Sequence, residues 1–495
     1  MTADYDLLVV GGGINGAGIA RDAAGRGMKV LLVEKDDLAS HTSSASTKLI
    51  HGGLRYLEQY DFRLVAESLH EREILLAAAP HIIRPLRFVL PHEPSMRPRW
   101  MLRLGLMLYD RLGGRSRSLP GSTAIDLRQA PHRSILQGRF VRGFEYSDCW
   151  VEDARLVVLS AMDAEHRGAT ICTRCECTAL ERHSDHWRAM LRGEGGEEQV
   201  VARAIVNATG PFVDRVARLA LGAGTPAHLR LVKGSHIVVR RAYPGEHAYI
   251  FQQPDGRIVF AIPYERDFTL IGTTDVRYDG DLDHVAIAPE ETAYLCAAAS
   301  RYFASAVTED EIVSSYSGVR PLYEDNAKSN STVTRDYVFE LETEGGAPIL
   351  SVYGGKLTTY RRLAEHALER LGKAMTVPGK PWTAGTPLTG GDVDGDFAGF
   401  LWGASERWPW VPPEMLQRLA RAYGTRIVDL LGEATALSEL GEDFGGTLYE
   451  AELRYLVAHE YARTAEDVLR RRSKLGLHLA EESQQAVADW FAARA

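Results

Sequence analysis

The sequence predicts an α/β fold: a Rossmann-type domain assembled from separated segments, a β-rich second domain interleaved with it, and a helical C-terminal cap. Three observations carry this prediction. A strand, a glycine-rich turn, a helix and a second strand open the chain. Two apolar strands far downstream, near residues 205 and 350, also stop at glycines. After about residue 385 the strand-like texture gives way to helical periodicity. The chain thus divides into residues 1–385, in which the second domain occupies roughly 55–150 and 225–345, and a cap over 386–495.

The opening unit begins with the short apolar strand Asp6–Val10. Gly11, Gly13 and Gly16 follow with G-x-G-x-x-G spacing. A helix is expected from about Asn15 to Arg26, closed by Gly27, and a second strand over Val30–Val33 ends at Glu34. This is the full β-α-β context of a dinucleotide site. Gly11 permits the tight turn, Gly13 lets the backbone approach a pyrophosphate, and Gly16 lets the helix pack on the strand. The helix N-terminus, with Ile14 and Asn15, then faces the anion. Glu34 stands where a carboxylate accepts hydrogen bonds from ribose hydroxyls, and an acid there disfavours a 2′-phosphate.

The motif alone does not separate NAD from FAD. The stretch LASHTSSASTKLIHGGLRYL, rich in hydroxyl side chains, offers hydrogen bonds to phosphate and to a flavin ring. Thr42, Ser43, Ser46, Lys48 and His51 are its candidates. Strand Ala204–Ala208 stops at Thr209-Gly210-Pro211, and strand Ile349–Val352 stops at Gly354-Gly355-Lys356, with Leu357 and Thr358 next. Strand ends followed by glycines are where a parallel sheet presents its ligand.

Composition bounds the rest. A net charge of −9 lacks the basic face of a nucleic-acid binder, so an anionic ligand must find a local basic pocket. The five cysteines, an odd number loosely spaced, do not form a disulfide framework and suit a reducing compartment. Cys172, Cys175 and Cys177 crowd into ICTRCEC, but no second Cys/His cluster completes a four-ligand metal site. Cys175 and Cys177 are read instead as alternating strand residues, and no metal is expected. The N-terminus MTADYD has no apolar leader, and no stretch approaches the roughly 18 apolar residues of a spanning helix.

Two long motifs, VGGGINGAGIARDAAGRG at Val10–Gly27 and GGKLTTYRRLA at Gly354–Ala364, carry a resemblance. Between them TSSASTKLIHGGLRY, RGFEYSDCW, KGSHIVV, IGTTDV and SGVRPL follow in family order. The chain resembles the FAD-dependent glycerol-3-phosphate dehydrogenases, a branch of the D-amino-acid-oxidase-like flavoproteins, over essentially its whole length. The resemblance implies removal of a hydride from C2 of glycerol 3-phosphate to N5 of FAD, giving dihydroxyacetone phosphate. It implies electron transfer to a membrane quinone, a peripheral place on the cytoplasmic face of the inner membrane, and a homodimer.

The second domain is read as β-rich, with strand Leu231–Arg241, a hairpin of Tyr249–Gln253 and Ile258–Ile262 about Asp255-Gly256, and strand Thr269–Gly272. A phosphate needs cations on a rigid frame, and arginine's fork suits it. Arg55, Tyr56, Arg320, Arg335, Lys356 and His236 are the candidates, which by resemblance line the family's pocket. Arg320 and Arg335, helped by Arg55, are expected to hold the phosphate. His236 is the first choice for taking the C2 hydroxyl proton, since histidine titrates nearest neutrality. Lys356 is expected to stabilise negative charge near reduced flavin, and the reverse assignment of these two residues stays open.

Residues 97–112, RPRWMLRLGLMLYDRL, read as a helix lying on anionic lipid, or else as a buried helix with snorkelling arginines. GTPLTGGDVDGDFAG, from Gly385, is read as a linker. Helices are expected at Pro413–Tyr423, Leu448–Tyr461, Thr464–Leu475 and Ala480–Ala493, with Thr464 and Asp467 at a helix start. Arg470-Arg471-Arg472 is taken as a solvated face. Three other functions compete. One is a soluble oxidase that reduces oxygen to hydrogen peroxide. Another is an amine or amino-acid oxidase in which Arg320 grips a carboxylate. The last is a non-catalytic flavin-binding sensor. Peroxide yield separates the first; the surplus of cations and the polar strand ends argue against the others.

Overall fold

The computed structural model describes residues 3–94, 96–114, 118–324 and 336–494. Its first sheet has eight strands. Strand β1 (Tyr5–Val10) lies parallel between β2 (Val30–Glu34) and strand Gly196–Asn207. Strand Ile349–Tyr353 pairs parallel with Gly196–Asn207 on its other side. Leu7, Leu8 and Val9 are fully buried, as residues of a strand covered on both faces are, which is why β1 reads as an unbroken apolar run. The three pieces expected from the sequence thus meet in one sheet. Helix α1 (Ile14–Gly25) packs over it with helices Asp153–His166 and Tyr360–Leu371 around a shared core.

The second sheet has ten strands. The predicted strands appear as Leu229–Arg240, Ala248–Gln252, Ile258–Tyr264 and Phe268–Gly272, and the Ala248–Gln252/Ile258–Tyr264 hairpin is antiparallel as expected. The long strand Ile312–Tyr323 runs antiparallel to Leu229–Arg240. Strands Ile83–His92 and Arg142–Val151, which the sequence reading did not place, extend the sheet. Strand Val338–Glu342, inside the expected second-domain range, instead forms the antiparallel edge of the first sheet.

The cap encloses its own core, drawn from residues between Ala404 and Trp490. Helix Pro413–Tyr423 falls where predicted. The supposed linker ends early: Asp396 caps helix Phe397–Arg407 by accepting the Gly399 N–H at 2.9 Å. Thr464 and Asp467 do make a reciprocal start, but the turn beyond is a π-helix over Asp467–Arg472.

Two expectations need correcting. The arginine run is not a solvated face. Arg472 is buried and donates to Asp37 at 2.8 Å, and Arg471 donates to the same carboxylate at 2.7 Å. Its charge is spent joining the cap to the first domain, assisted by Arg155–Glu460 at 2.8 Å and Arg174–Asp467 at 2.7 Å. Nor is ICTRCEC one strand. Strand Thr170–Thr173 ends before Arg174, whose φ of +52° turns the chain, and strand Glu176–Arg182 starts after Cys175.

Candidate functional site

A cavity of about 980 Å³ opens between the two sheets. That is the upper end of the range of ligand pockets, room for a dinucleotide-sized ligand. Of the expected residues, Gly11, Gly13, Ile14, Asn15, Glu34, Thr42, Ser43, Ser46, His51, Thr209, Gly210, Gly354, Gly355, Lys356, Leu357 and Thr358 line it. Arg55, Tyr56, His236 and Arg320 line it as well. Arg335 lies outside the described residues. Gly16 and Lys48 are not on the wall.

Gly16 works behind the wall: a Cβ there would fall 1.9 Å from the Gly11 carbonyl oxygen. Lys48 is 1% exposed, and its Nζ donates to both oxygens of buried Asp153 at 2.9 Å. A buried ammonium needs such a partner. Lys48 therefore anchors the hydroxyl-rich loop rather than a ligand. Ser46 Oγ donates to the same Asp153 at 2.7 Å, Tyr316 donates to the Ser46 carbonyl at 2.9 Å, and Thr42 donates to the Val319 carbonyl at 2.8 Å. The loop is thereby stretched between the two domains.

At one end of the cavity the N-terminus of α1 begins at Gly13, which carries no capping side chain. The Ile14 N–H donates to Ser43 Oγ at 3.0 Å. Glu34 accepts from the Gly12 N–H at 2.6 Å and from the Asp36 N–H at 2.9 Å, while burial pushes its carboxyl up. Beside it strand Ile349–Tyr353 runs into Gly354 and Gly355, with φ of +73° and +96°. Asn15 Nδ2 donates to the Gly354 carbonyl at 3.1 Å, and its buried Oδ1 finds no hydrogen-bond partner among the described residues. A side-chain-free helix start, two left-handed glycines and an orphaned amide oxygen on one wall fit a pyrophosphate-linked flavin.

The opposite wall belongs to the second sheet. His236 stands on strand Leu229–Arg240 opposite Gly272 and Tyr316. Its ring stacks on Tyr316, with centroids 4.8 Å apart, and Nε2 shares a hydrogen bond with Thr47 Oγ1 at 3.0 Å. Nδ1 is buried with no hydrogen-bond partner among the described residues. Burial first, then the Arg320 and Lys48 cations, hold the ring well below its ordinary pKa, so it is neutral. Arg320 reaches across bare Gly234: a Cβ there would lie 2.6 Å from Nη2. Its guanidinium donates to Thr273 Oγ1 at 3.1 Å. Lys356 Nζ sits 4.0 Å from the Tyr56 ring centroid.

Thr47, Thr273 and Asp148 were missed as site residues. Asp148, on the cavity wall, accepts from Tyr109 Oη and from Arg72 Nη1, each at 2.8 Å, and Tyr109 Oη accepts from the Gly52 N–H at 2.8 Å. This network props the Gly52-Gly53 turn that presents Arg55 and Tyr56. The signal for all three was present in the segments TSSASTKLIHGGLRY, RGFEYSDCW and IGTTDV, which hold Thr47, Asp148 and Thr273.

The family model described as FAD dependent oxidoreductase matches residues 6–361, and that for the C-terminal domain of alpha-glycerophosphate oxidase matches 381–494. The chain is 52% identical to the glycerol-3-phosphate dehydrogenase of Pseudomonas aeruginosa, over 97% of this chain and 93% of that protein. It is 50% identical to the D-erythritol 1-phosphate dehydrogenase of Brucella abortus, over 98% of this chain and 97% of that one. The crystal structure of the glycerol-3-phosphate dehydrogenase from Bacillus halodurans, complexed with FAD, superposes with a TM-score of 0.81 at 29% identity, covering 99% of this chain and 90% of that one.

Proposed function

The chain belongs to the FAD dependent oxidoreductase family, and from that premise we propose that it oxidises sn-glycerol 3-phosphate to dihydroxyacetone phosphate. The observation that carries the substrate half of this reading is the pairing of a buried neutral imidazole with an arginine fork on one cavity wall, facing the two-glycine strand end on the other.

Bound FAD supplies the two-electron acceptor. Gly11, Gly13, Ile14 and Ser43 would hold its pyrophosphate, Glu34 its ribose, and Asn15, Gly354 and Gly355 the flavin end. Arg320 and Arg55, with Arg335, orient the substrate through its phosphate. Arg320 is preorganised for this by Thr273 and by the space above Gly234. His236 Nε2, steered by Thr47, takes the C2 hydroxyl proton, and Lys356 stabilises the negative charge that accumulates near the reduced ring.

Purified holoenzyme with an artificial electron acceptor should form dihydroxyacetone phosphate in step with acceptor reduction, and form nothing from glycerol. D-Erythritol 1-phosphate belongs beside it, because a relative 50% identical to the chain bears that name. Turnover of the four-carbon phosphate with none of the three-carbon one would refute the substrate assignment.

Helix Arg99–Leu112 supports contact with a membrane surface, while the cytoplasmic face of the inner membrane and the quinone acceptor rest on the family resemblance. Trp100 is 67% exposed and Leu104 60%, with Met101 and Leu108 beside them, while Leu106 and Tyr109 are buried beneath. Arg97 and Arg99 are exposed at the start of this helix, and Arg103 donates to the Ser122 carbonyl at 2.8 Å. Among the described residues no helix is long and apolar enough to cross a membrane. An amphipathic helix of this kind suits an anionic lipid surface. The homodimer rests on the family resemblance.

A further inference from the structure

The cysteine cluster left over from the sequence lies at the adenosine end of the FAD site. Cys172 is on strand Thr170–Thr173 opposite Val33, the residue before Glu34. Cys175 follows the left-handed Arg174, is 4% exposed, and lines the cavity. The Cys172 and Cys175 side chains pack against the same core. The turn between them is bound to the ribose-side segment: the Cys175 N–H donates to the Glu34 carbonyl and the Arg174 N–H to the Asp36 carbonyl, both at 2.8 Å. Arg174 also ties this turn to Asp467 of the cap.

We propose that Cys172 and Cys175 form a reversible dithiol–disulfide pair whose closure loosens the grip on the adenosine end of FAD. This rests on the cavity holding FAD as described above. C-x-x-C spacing brings two thiols together and activates one of them. Here exposure gives the roles: the half-buried Cys172 is the thiol an oxidant reaches, and the buried Cys175 resolves. Cys177 is not a member, because its thiol turns to the Ala179 carbonyl.

The oxidant is a low-molecular-weight disulfide such as oxidised glutathione. The Cys172 thiolate attacks one of its sulfurs, the oxidant's S–S bond breaks, and one small thiolate leaves. Cys175 then gives up its proton and attacks Cys172 Sγ in the mixed disulfide, expelling the second thiolate. Two protein thiols are oxidised to one disulfide and the oxidant is reduced to two small thiols. Closure fixes the two sulfurs about 2 Å apart. Because the turn is bonded to the Glu34 and Asp36 carbonyls, that movement pulls on the strand end carrying the ribose carboxylate.

The test uses holoenzyme incubated with oxidised glutathione, then split into two readings. Tryptic peptides 168–174 and 175–182 should appear as a disulfide-linked pair in wild type and in Cys177→Ala, and not in Cys172→Ala. FAD release, followed by flavin fluorescence on dilution, should be at least five-fold faster after oxidation. It should recover with dithiothreitol and be unaltered by oxidant in Cys172→Ala. No linked peptides, or glutathione left standing on Cys172, would overturn the pair. Linked peptides with unchanged FAD release would overturn the coupling. Reduced protein that binds no FAD would instead sink the cofactor reading beneath it.

Discussion

At His236, burial works against the chemistry expected of the residue. A solvated imidazole titrates near neutrality, but this one is sealed beneath Tyr316 and faces two cations, so its protonated form is disfavoured. A base already neutral at every working pH gives a flat acid limb. The rate of flavin reduction in wild type should therefore hold steady from pH 8 to pH 6. His236→Gln should lower it by about 10²-fold or more, the range of general-base contributions. If instead Lys356 is the base, the rate will climb with pH and His236→Gln will retain activity. Arg320→Gln removes a charge-assisted contact of about 1.5–3 kcal/mol, so kcat/KM should fall roughly 10- to 100-fold. The fall should lie chiefly in KM for glycerol 3-phosphate, and an unchanged KM would detach Arg320 from the phosphate. Residue types with one plausible use, such as the glycines at strand ends, were legible from sequence. Lys48 was not, because its partner Asp153 lies 105 positions away and nothing local marks a cation as buried. Thr47 was passed over for the same reason: its value comes from His236, on another domain.

Among the elements, helix Arg99–Leu112 and the cap junction make separable predictions. Leu104→Glu with Leu108→Glu puts two charges into the exposed apolar strip without touching Leu106 or Tyr109 beneath. Flotation with anionic liposomes should drop sharply while flavin reduction by substrate in detergent-free buffer persists, and identical flotation would free the helix from any membrane role. At the junction, Arg472→Met leaves Asp37 buried with only Arg471. Removing one partner of a buried pair costs about 3–5 kcal/mol, and here Arg471 should hold the loss to the lower end. Urea unfolding of the holoenzyme reads it, and an unchanged midpoint would show that the clamp bears no load. Helix Pro413–Tyr423 was legible to the residue because its apolar face has a strict period and Pro413 opens it. The arginine run was misread because sequence shows a charge but not the carboxylate folded against it. Strands Ile83–His92 and Arg142–Val151 escaped because their prolines and charges blur the alternation, while the ten-residue ladder between them decides the structure.

For the whole molecule, the two-sheet frame with a cavity between was legible because each piece of the first sheet ends in its own glycine signal. The depth of burial at the cap junction was not. His81 sits there, buried, with both ring nitrogens lacking a hydrogen-bond partner among the described residues, and burial beside Arg155 and Arg421 pushes it down to about 3. The unfolded chain binds that proton near 6.5 and the native one does not, so stability falls as pH drops below about 6.5 toward 3. The slope is up to about 1.4 kcal/mol per pH unit for this one group. His81→Leu should keep the urea midpoint at pH 7.5 and flatten its decline at pH 5.5, and an unaltered decline would assign the acid sensitivity elsewhere.

Mixing the holoenzyme with glycerol 3-phosphate without oxygen and following the flavin absorbance, with glycerol and a D-amino acid as controls, shows whether FAD in this cavity takes the electrons of a phosphorylated alcohol. Prompt loss of the oxidised flavin band with glycerol 3-phosphate alone is the predicted result. A flavin that stays oxidised with the phosphate, or bleaches equally with the controls, would contradict the account.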